Sequence, residues 1–82
     1  MIDFLPTLSH VLSDRNYTVD LFVFSLHDAY EMRVYNNETR ELFTLEIPSS
    51  ELLELNIKNR KAVIDFFRKK LDWVINNQRI AQ

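Results

Sequence analysis

The 82-residue chain contains no cysteine, no glycine and only two prolines. Without cysteine it forms neither a disulfide framework nor a cysteine-ligated zinc site. Without glycine it lacks the residue that Walker loops, dinucleotide-binding turns and oxyanion elbows use for positive φ or close backbone approach, so these sites are excluded in their usual form. Turn positions with a positive φ should then be occupied by asparagine or aspartate. The candidates are Asn16, Asn36, Asn37 and Asn56.

Long apolar runs are missing too. No stretch approaches the roughly 20 residues that a membrane-spanning helix needs, and the first residues lack the basic region and apolar core of a secretory signal. We therefore expect a cytoplasmic protein without a membrane partner. Histidine occurs only at positions 10 and 27, and neither has a metal-ligand spacing or a triad context. We expect no enzyme activity, no cofactor and no metal.

The composition that remains is that of a folded domain. Hydrophobic residues make up 46% of the chain and charged residues 27%, which predicts one domain over residues 1–82. A domain of this size buries only about 60–65% of its unfolded surface, so it has little room for a deep cleft beside its core. A role in surface binding needs no cleft, and we favour binding over catalysis.

The hydrophobic pattern changes its period along the chain. Apolar residues recur at helical spacing near both ends, and between them aromatic and β-branched residues alternate with polar ones. The predicted segments are a helix over 3–15, strands over 17–26, 30–35 and 40–47, a short helix over 51–55 and a long helix over 59–80. Short turns between the strands predict an antiparallel meander. We therefore expect an α+β fold whose helices, the long C-terminal one included, pack on one sheet face.

Individual positions in these segments have predicted roles. Asp3 is expected to cap the first helix and Asn16 to end it. Alternation predicts that one set of strand side chains faces the helices. That inner set is Tyr17, Val19, Leu21, Val23, Tyr30, Met32, Val34, Phe43, Leu45 and Ile47.

The long helix has two apolar stripes. The broader one is expected to face the core. Its members are Val63, Ile64, Phe67, Leu71, Val74 and Ile75. The second stripe, which we call the second lane, consists of Ala62, Phe66, Trp73 and Ile80. Either the N-terminal helix covers this lane, or a partner protein or a second copy of the chain does. Because aromatic anchors are typical of interface cores, Phe66, Trp73 and Ile80 are candidate partner-binding residues.

Charge is sorted along the chain. Residues 1–56 carry a net charge of −7, and residues 57–82 carry +5. One interpretation is that the basic helix complements an acidic sheet within the molecule. The other is that one face binds a partner of opposite charge, either a protein or a phosphate backbone. The candidate phosphate-binding residues are Lys58, Arg60, Lys61, Lys69 and Lys70.

Two short segments resemble a known family. Residues 15–21 read Arg-Asn-Tyr-Thr-Val-Asp-Leu, and residues 33–37 read Arg-Val-Tyr-Asn-Asn. In wording and spacing these resemble small phage-encoded anti-CRISPR proteins that inhibit type II-A CRISPR nucleases, and the resemblance covers about residues 1–45. It implies a helix, three strands and further helices, and an inhibitor that occupies a DNA-binding surface with acidic side chains. In this chain those would be Asp20, Asp28, Glu31, Glu38 and Glu41.

Together these features predict a small non-enzymatic protein-binding module. It would be a phage or mobile-element inhibitor that occludes a functional surface of a larger host protein in the host cytoplasm, and a homodimer remains an open alternative. The alternative function is a nucleic-acid-binding protein that uses the basic C-terminal helix.

Overall fold

The computed structural model describes residues 2–81, with the backbone alone for Ser25 and residues 78–81. The predicted α+β fold is confirmed. Its elements in chain order are helix α1 (Leu5–Leu12), strands β1 (Tyr17–Phe24), β2 (Ala29–Asn36) and β3 (Leu42–Pro48), and helix α2 (Arg60–Ala81). Short 3₁₀ turns at Ser25–His27 and Ser49–Leu52 join β1 to β2 and follow β3.

The three strands form one antiparallel sheet in the order β1-β2-β3. Met32, at the centre of β2, lies between Leu21 on one side and Leu45 on the other. Burial alternates along each strand, because successive side chains of an extended chain point to opposite faces. The inner-face set predicted from the sequence is confirmed: its members are buried or half-buried.

Both α-helices cover the inner face of the sheet. Helix α1 packs on β1 and against α2, and it buries Leu8 and Leu12. The prediction that the broader apolar stripe of α2 faces the core is confirmed. Phe67 is fully buried, and its ring meets that of Tyr30 edge to face with centroids 6.0 Å apart. The outer face of the sheet has no helix or strand of the described residues packed on it, so the fold has two layers.

Helix α1 is shorter than the sequence predicts. It begins at Leu5, with Phe4 rather than Asp3 at the cap position and no side-chain capping bond. It ends at Leu12, well before Asn16, because Ser13 takes an extended conformation. The Ser13 hydroxyl donates to the Ser9 carbonyl at 2.8 Å and accepts the Val19 N–H at 2.9 Å. A serine bonded in this way ends a helix by offering the backbone other partners.

The prediction that left-handed positions are asparagine or aspartate holds at one of two positions, and the four candidate asparagines are not among them. Among the described residues, positive φ occurs at Asp28 (48°) and Arg40 (66°). Asn36 and Asn56 instead use their side chains. The Asn36 Oδ1 accepts hydrogen bonds from the N–H groups of Glu38 and Thr39. It therefore stabilises the β2–β3 turn without a positive φ of its own.

The C-terminal half follows the prediction more closely. The predicted short helix over 51–55 is a 3₁₀ turn at Ser49–Leu52, slightly earlier in the chain. Helix α2 begins at Arg60, one residue after the predicted start. Asn59 caps it, because its Oδ1 accepts the Ala62 N–H at 3.2 Å.

Candidate functional site

Part of the second lane of α2 lies beside strand β3. Phe66 is half-buried, whereas Trp73 is 57% exposed. Together with Leu45 of β3 and the stems of Lys69 and Lys70, they line an open groove of about 420 Å³. We call this the Trp73 groove.

The local sequence accounts for the groove. Phe66 and Trp73 are seven residues apart, so they lie on one side of α2 about two turns from each other. The pleat of β3 puts Leu45 on the inner face, opposite Met32 of β2. Leu45 stays only half-buried because β3 is an edge strand, with no described strand on its far side. Leu45 was not predicted as a site residue, although its inward position was.

Helix α1 does not cover this part of the second lane. It packs on β1, at the other edge of the sheet, and none of its residues lines the groove. The third predicted anchor, Ile80, lies outside the described side chains. Phe66 and Trp73 are therefore brought together with Leu45 on a surface that the described residues leave open.

Positive charge borders the groove. The Nζ of Lys70 lies 2.7 Å from the Glu51 carboxylate and 5.4 Å from the centre of the Phe66 ring. Lys69 is exposed, and no described residue forms an ion pair with it. The groove thus has an apolar floor and a rim with one uncompensated ammonium group, which attracts a carboxylate.

The five candidate phosphate-binding residues form two groups. Lys58, Arg60 and Lys61 lie exposed around the start of α2, where the Arg60 guanidinium lies 4.9 Å from the centre of the Phe4 ring. Lys69 and Lys70 follow nine residues further along the helix, roughly 13 Å away along its axis. The first group is an exposed basic cluster, and the second belongs to the Trp73 groove.

The five candidate acidic residues are also divided. Asp20 and Glu31 lie on the outer sheet face, where Glu31 accepts a bond of 2.7 Å from Arg33. Asp28 lies in the β1–β2 connection. The β2–β3 connection, at the opposite end of β2, contains the other two residues, Glu38 and Glu41. Because successive hairpin connections alternate between the two ends of a meander, these acids do not form one row.

A histidine contact on the outer face was not foreseen from the sequence. The His27 ring stacks on Phe24 with centroids 5.6 Å apart, and its Nδ1 lies 3.4 Å from the Glu46 carboxylate. Glu46 is directly opposite Glu31 across β2 and β3. His27 and Arg33 therefore each place a side-chain nitrogen beside one of two neighbouring carboxylates.

Three further findings concern the whole of the described chain. Between residues 2 and 81, no three histidine, aspartate or glutamate side chains are grouped so that they could hold a metal ion. No helix in the described part of the chain is both long and apolar enough to cross a bilayer. Searches against protein-family models, curated proteins and solved structures find no match to this chain. The fold and the surface therefore define its class: a small two-layer α+β domain with an apolar groove beside an edge strand.

Proposed function

We propose that this protein is a non-enzymatic protein-binding module that docks on a larger protein through the Trp73 groove and occludes the surface it covers. The observation that carries the proposal is the exposure of Trp73 above Phe66 and Leu45. Tryptophan is among the residues that dominate binding energy when a partner covers them.

The energetics support docking at this position. Complete burial of a tryptophan removes roughly 150–250 Å² from water. The exposed 57% of Trp73 therefore offers about 2–4 kcal/mol at ~25 cal/mol per Å². A standard interface takes about 800 Å² from each partner, and the described chain exposes 5858 Å². A domain of this size can provide such a patch without a cleft.

The narrower proposal is an inhibitor from a phage or a mobile element. It is supported by the likeness of residues 15–21 and 33–37 to anti-CRISPR proteins of type II-A systems. Such an inhibitor would act in the host cytoplasm on a DNA-binding surface. Asp20 and Glu38, both exposed, would then supply part of the electrostatic contact.

The groove is tested with Trp73→Ala and a matched control, Leu26→Ala. Leu26 is 97% exposed in the β1–β2 connection, away from the groove. A partner is isolated from host lysate with the wild-type protein, purified, and titrated against all three proteins by calorimetry. We expect Trp73→Ala to weaken binding at least tenfold, about 1.4 kcal/mol, and Leu26→Ala to leave it unchanged. Equal affinities for the three folded proteins would refute the groove as the docking site.

The second candidate function is nucleic-acid binding. The exposed basic cluster of Lys58, Arg60 and Lys61 supports it. The N-terminus of α2 carries the positive end of the helix dipole, so the dipole and these side chains both attract phosphate. The cluster is small, and the adjoining sheet is acidic. We therefore rank this function below protein binding.

A further inference from the structure

Two backbone hydrogen bonds show which residues of β3 direct their N–H and C=O groups toward β2. The Asn36 N–H donates to the Glu41 carbonyl, and the Ser49 N–H donates to the Asp28 carbonyl, both at 2.9 Å. Hydrogen-bonded and non-hydrogen-bonded pairs alternate along an antiparallel ladder. The backbone groups of every second residue of β3 therefore face β2, and those of the intervening residues face away from the sheet. The outward-facing residues are Leu42, Thr44 and Glu46.

These outward groups form an open edge. The N–H and C=O groups of Leu42, Thr44 and Glu46 have no hydrogen-bond partner among residues 2–81. All three side chains are exposed as well. An unpaired row of donors and acceptors is a template for another strand.

The other edge of the same sheet, strand β1, is closed over most of its length by the chain itself. The outward N–H of Leu21 donates to the Ser9 hydroxyl at 3.1 Å, and that of Val19 donates to the Ser13 hydroxyl at 2.9 Å. The next outward N–H, that of Tyr17, donates to a carboxylate oxygen in the α1–β1 connection at 2.9 Å. Side chains of α1 and of the connection that follows it thus occupy most of the β1 edge, whereas no described residue occupies the β3 edge.

The open edge and the Trp73 groove are continuous. Leu45 belongs to β3 and also lines the groove beside Phe66 and Trp73. A strand paired with β3 would lie about 4.8 Å from it. Every second side chain of that strand would then enter the space next to Leu45, on the side where α2 presents its aromatic residues.

We propose that the β3 edge binds an extended segment of the partner protein as a fourth strand. Alternate apolar side chains of the segment fill the Trp73 groove, and a carboxylate of the segment pairs with Lys69. Main-chain bonds to Leu42, Thr44 and Glu46 provide affinity, and the groove selects the side chains, as in other cases of strand addition. This inference rests on the proposed function and specifies its binding mode.

On the inner side of the β3 edge, where the groove lies, the charge of Lys69 favours a segment that carries a carboxylate over a second copy of this chain. The carboxylate of Glu46 lies on the outer side, opposite Glu31. Antiparallel pairing of β3 with its own copy would bring two identical rims together, each with an unpaired Lys69. Like charges brought together at a dry interface oppose association. An apolar segment that carries a carboxylate neutralises the rim instead.

The probe is a displayed library of random twelve-residue peptides, selected on the wild-type protein. We expect the enriched peptides to alternate apolar residues over about five positions, to contain Asp or Glu, and to lack proline within that stretch. A consensus peptide is then synthesised in two N-methylated forms. Methylation of the amides that face β3 should weaken binding at least tenfold, and methylation of the amides that face away should not.

A second measurement follows the backbone amides of strand β3 in the protein. On binding of the unmodified peptide, hydrogen exchange should slow at the amides of Leu42, Thr44 and Glu46. Thr44→Pro removes one outward N–H without touching the bonds to β2, whereas Thr44→Val keeps it. We expect only the proline variant to lose the peptide. If that variant does not fold, the exchange data and the N-methylated pair still decide the question.

The outcomes separate this inference from the proposed function. Peptides that need Trp73 but leave the three β3 amides unprotected would overturn strand addition and leave groove docking intact. Failure to enrich any peptide would also overturn strand addition, and the Trp73→Ala titration with a folded partner judges the function independently. Concentration-dependent dimerisation that protects the same amides would replace the partner segment with a second copy and overturn the proposal. If peptide pairing with the β3 edge were unaffected by Trp73→Ala, the role of the Trp73 groove in binding would be refuted instead.

Discussion

The rings of Phe66 and Phe67 meet edge to face, with centroids 5.2 Å apart and planes at 83°. These residues are neighbours in sequence, but they serve different surfaces. Phe67 is fully buried against Tyr30, while Phe66 is half-buried at the floor of the Trp73 groove. The contact joins the floor of the groove directly to the core, so the groove is built on a rigid support.

This pair gives the first prediction. We expect Phe67→Ala to lower the free energy of unfolding by about 3–5 kcal/mol, because it leaves a cavity in the core. Phe66→Ala should cost less, about 1–2 kcal/mol, because a half-buried ring loses less buried area. Urea denaturation of both variants measures the difference. Equal losses would mean that the groove floor is as much part of the core as Phe67.

The second prediction concerns the closed edge of the sheet. Ser13→Ala removes the acceptor of the half-buried Val19 N–H, so we expect a loss of about 1–3 kcal/mol in unfolding free energy. Hydrogen exchange at Val19 should accelerate at the same time. Ser50→Ala is the matched control, since Ser50 is exposed and its hydroxyl makes no hydrogen bond to a described residue. Similar exchange at Val19 in both variants would refute the edge-closing role of Ser13.

The third prediction concerns backbone strain at Arg40. A left-handed conformation costs a residue with a Cβ roughly 1–2 kcal/mol, and glycine avoids this cost but loses about 0.5–1 kcal/mol in entropy. We therefore expect Arg40→Gly to be more stable than Arg40→Ala by about 0.5–1 kcal/mol. Both variants remove the same charge, so thermal unfolding of the pair isolates the backbone effect. An alanine variant at least as stable as the glycine variant would contradict the strain argument.

The fourth prediction tests the alternative function. We expect no binding to a labelled duplex of about 20 base pairs at roughly 150 mM salt, because three cationic side chains release few counterions. Any binding at low salt should fall with a logarithmic slope of about −3 or shallower. Fluorescence anisotropy measures both quantities. Tight binding at physiological salt that disappears in the Lys58→Ala, Arg60→Ala, Lys61→Ala triple variant would favour the nucleic-acid function.

The sequence predicted most of the fold. The errors lie where an individual hydrogen bond, rather than the hydrophobic period, decides the backbone conformation. Alternation predicted the inner strand faces, since a single buried sheet face enforces it. The end of α1 was misplaced because the Ser13 hydroxyl bonds to Val19, six residues further along the chain. The left-handed residue Arg40 was missed because its conformation follows from closing the β2–β3 turn, where its N–H donates to the Asn36 carbonyl. No propensity indicates that choice.

The sequence by itself determined the two apolar stripes of α2, because a fixed helical period places Phe66 and Trp73 on one side. It also determined the strand faces and the separation of charge between residues 1–56 and 57–82. Only the tertiary structure decided that this side of α2 faces β3 rather than α1. Helix α1 is held at β1 by core packing and by the bonds between Ser13 and Val19 and between Ser9 and Leu21, which join residues 6 and 12 positions apart. That placement closes most of the β1 edge and leaves the β3 edge open beside Trp73.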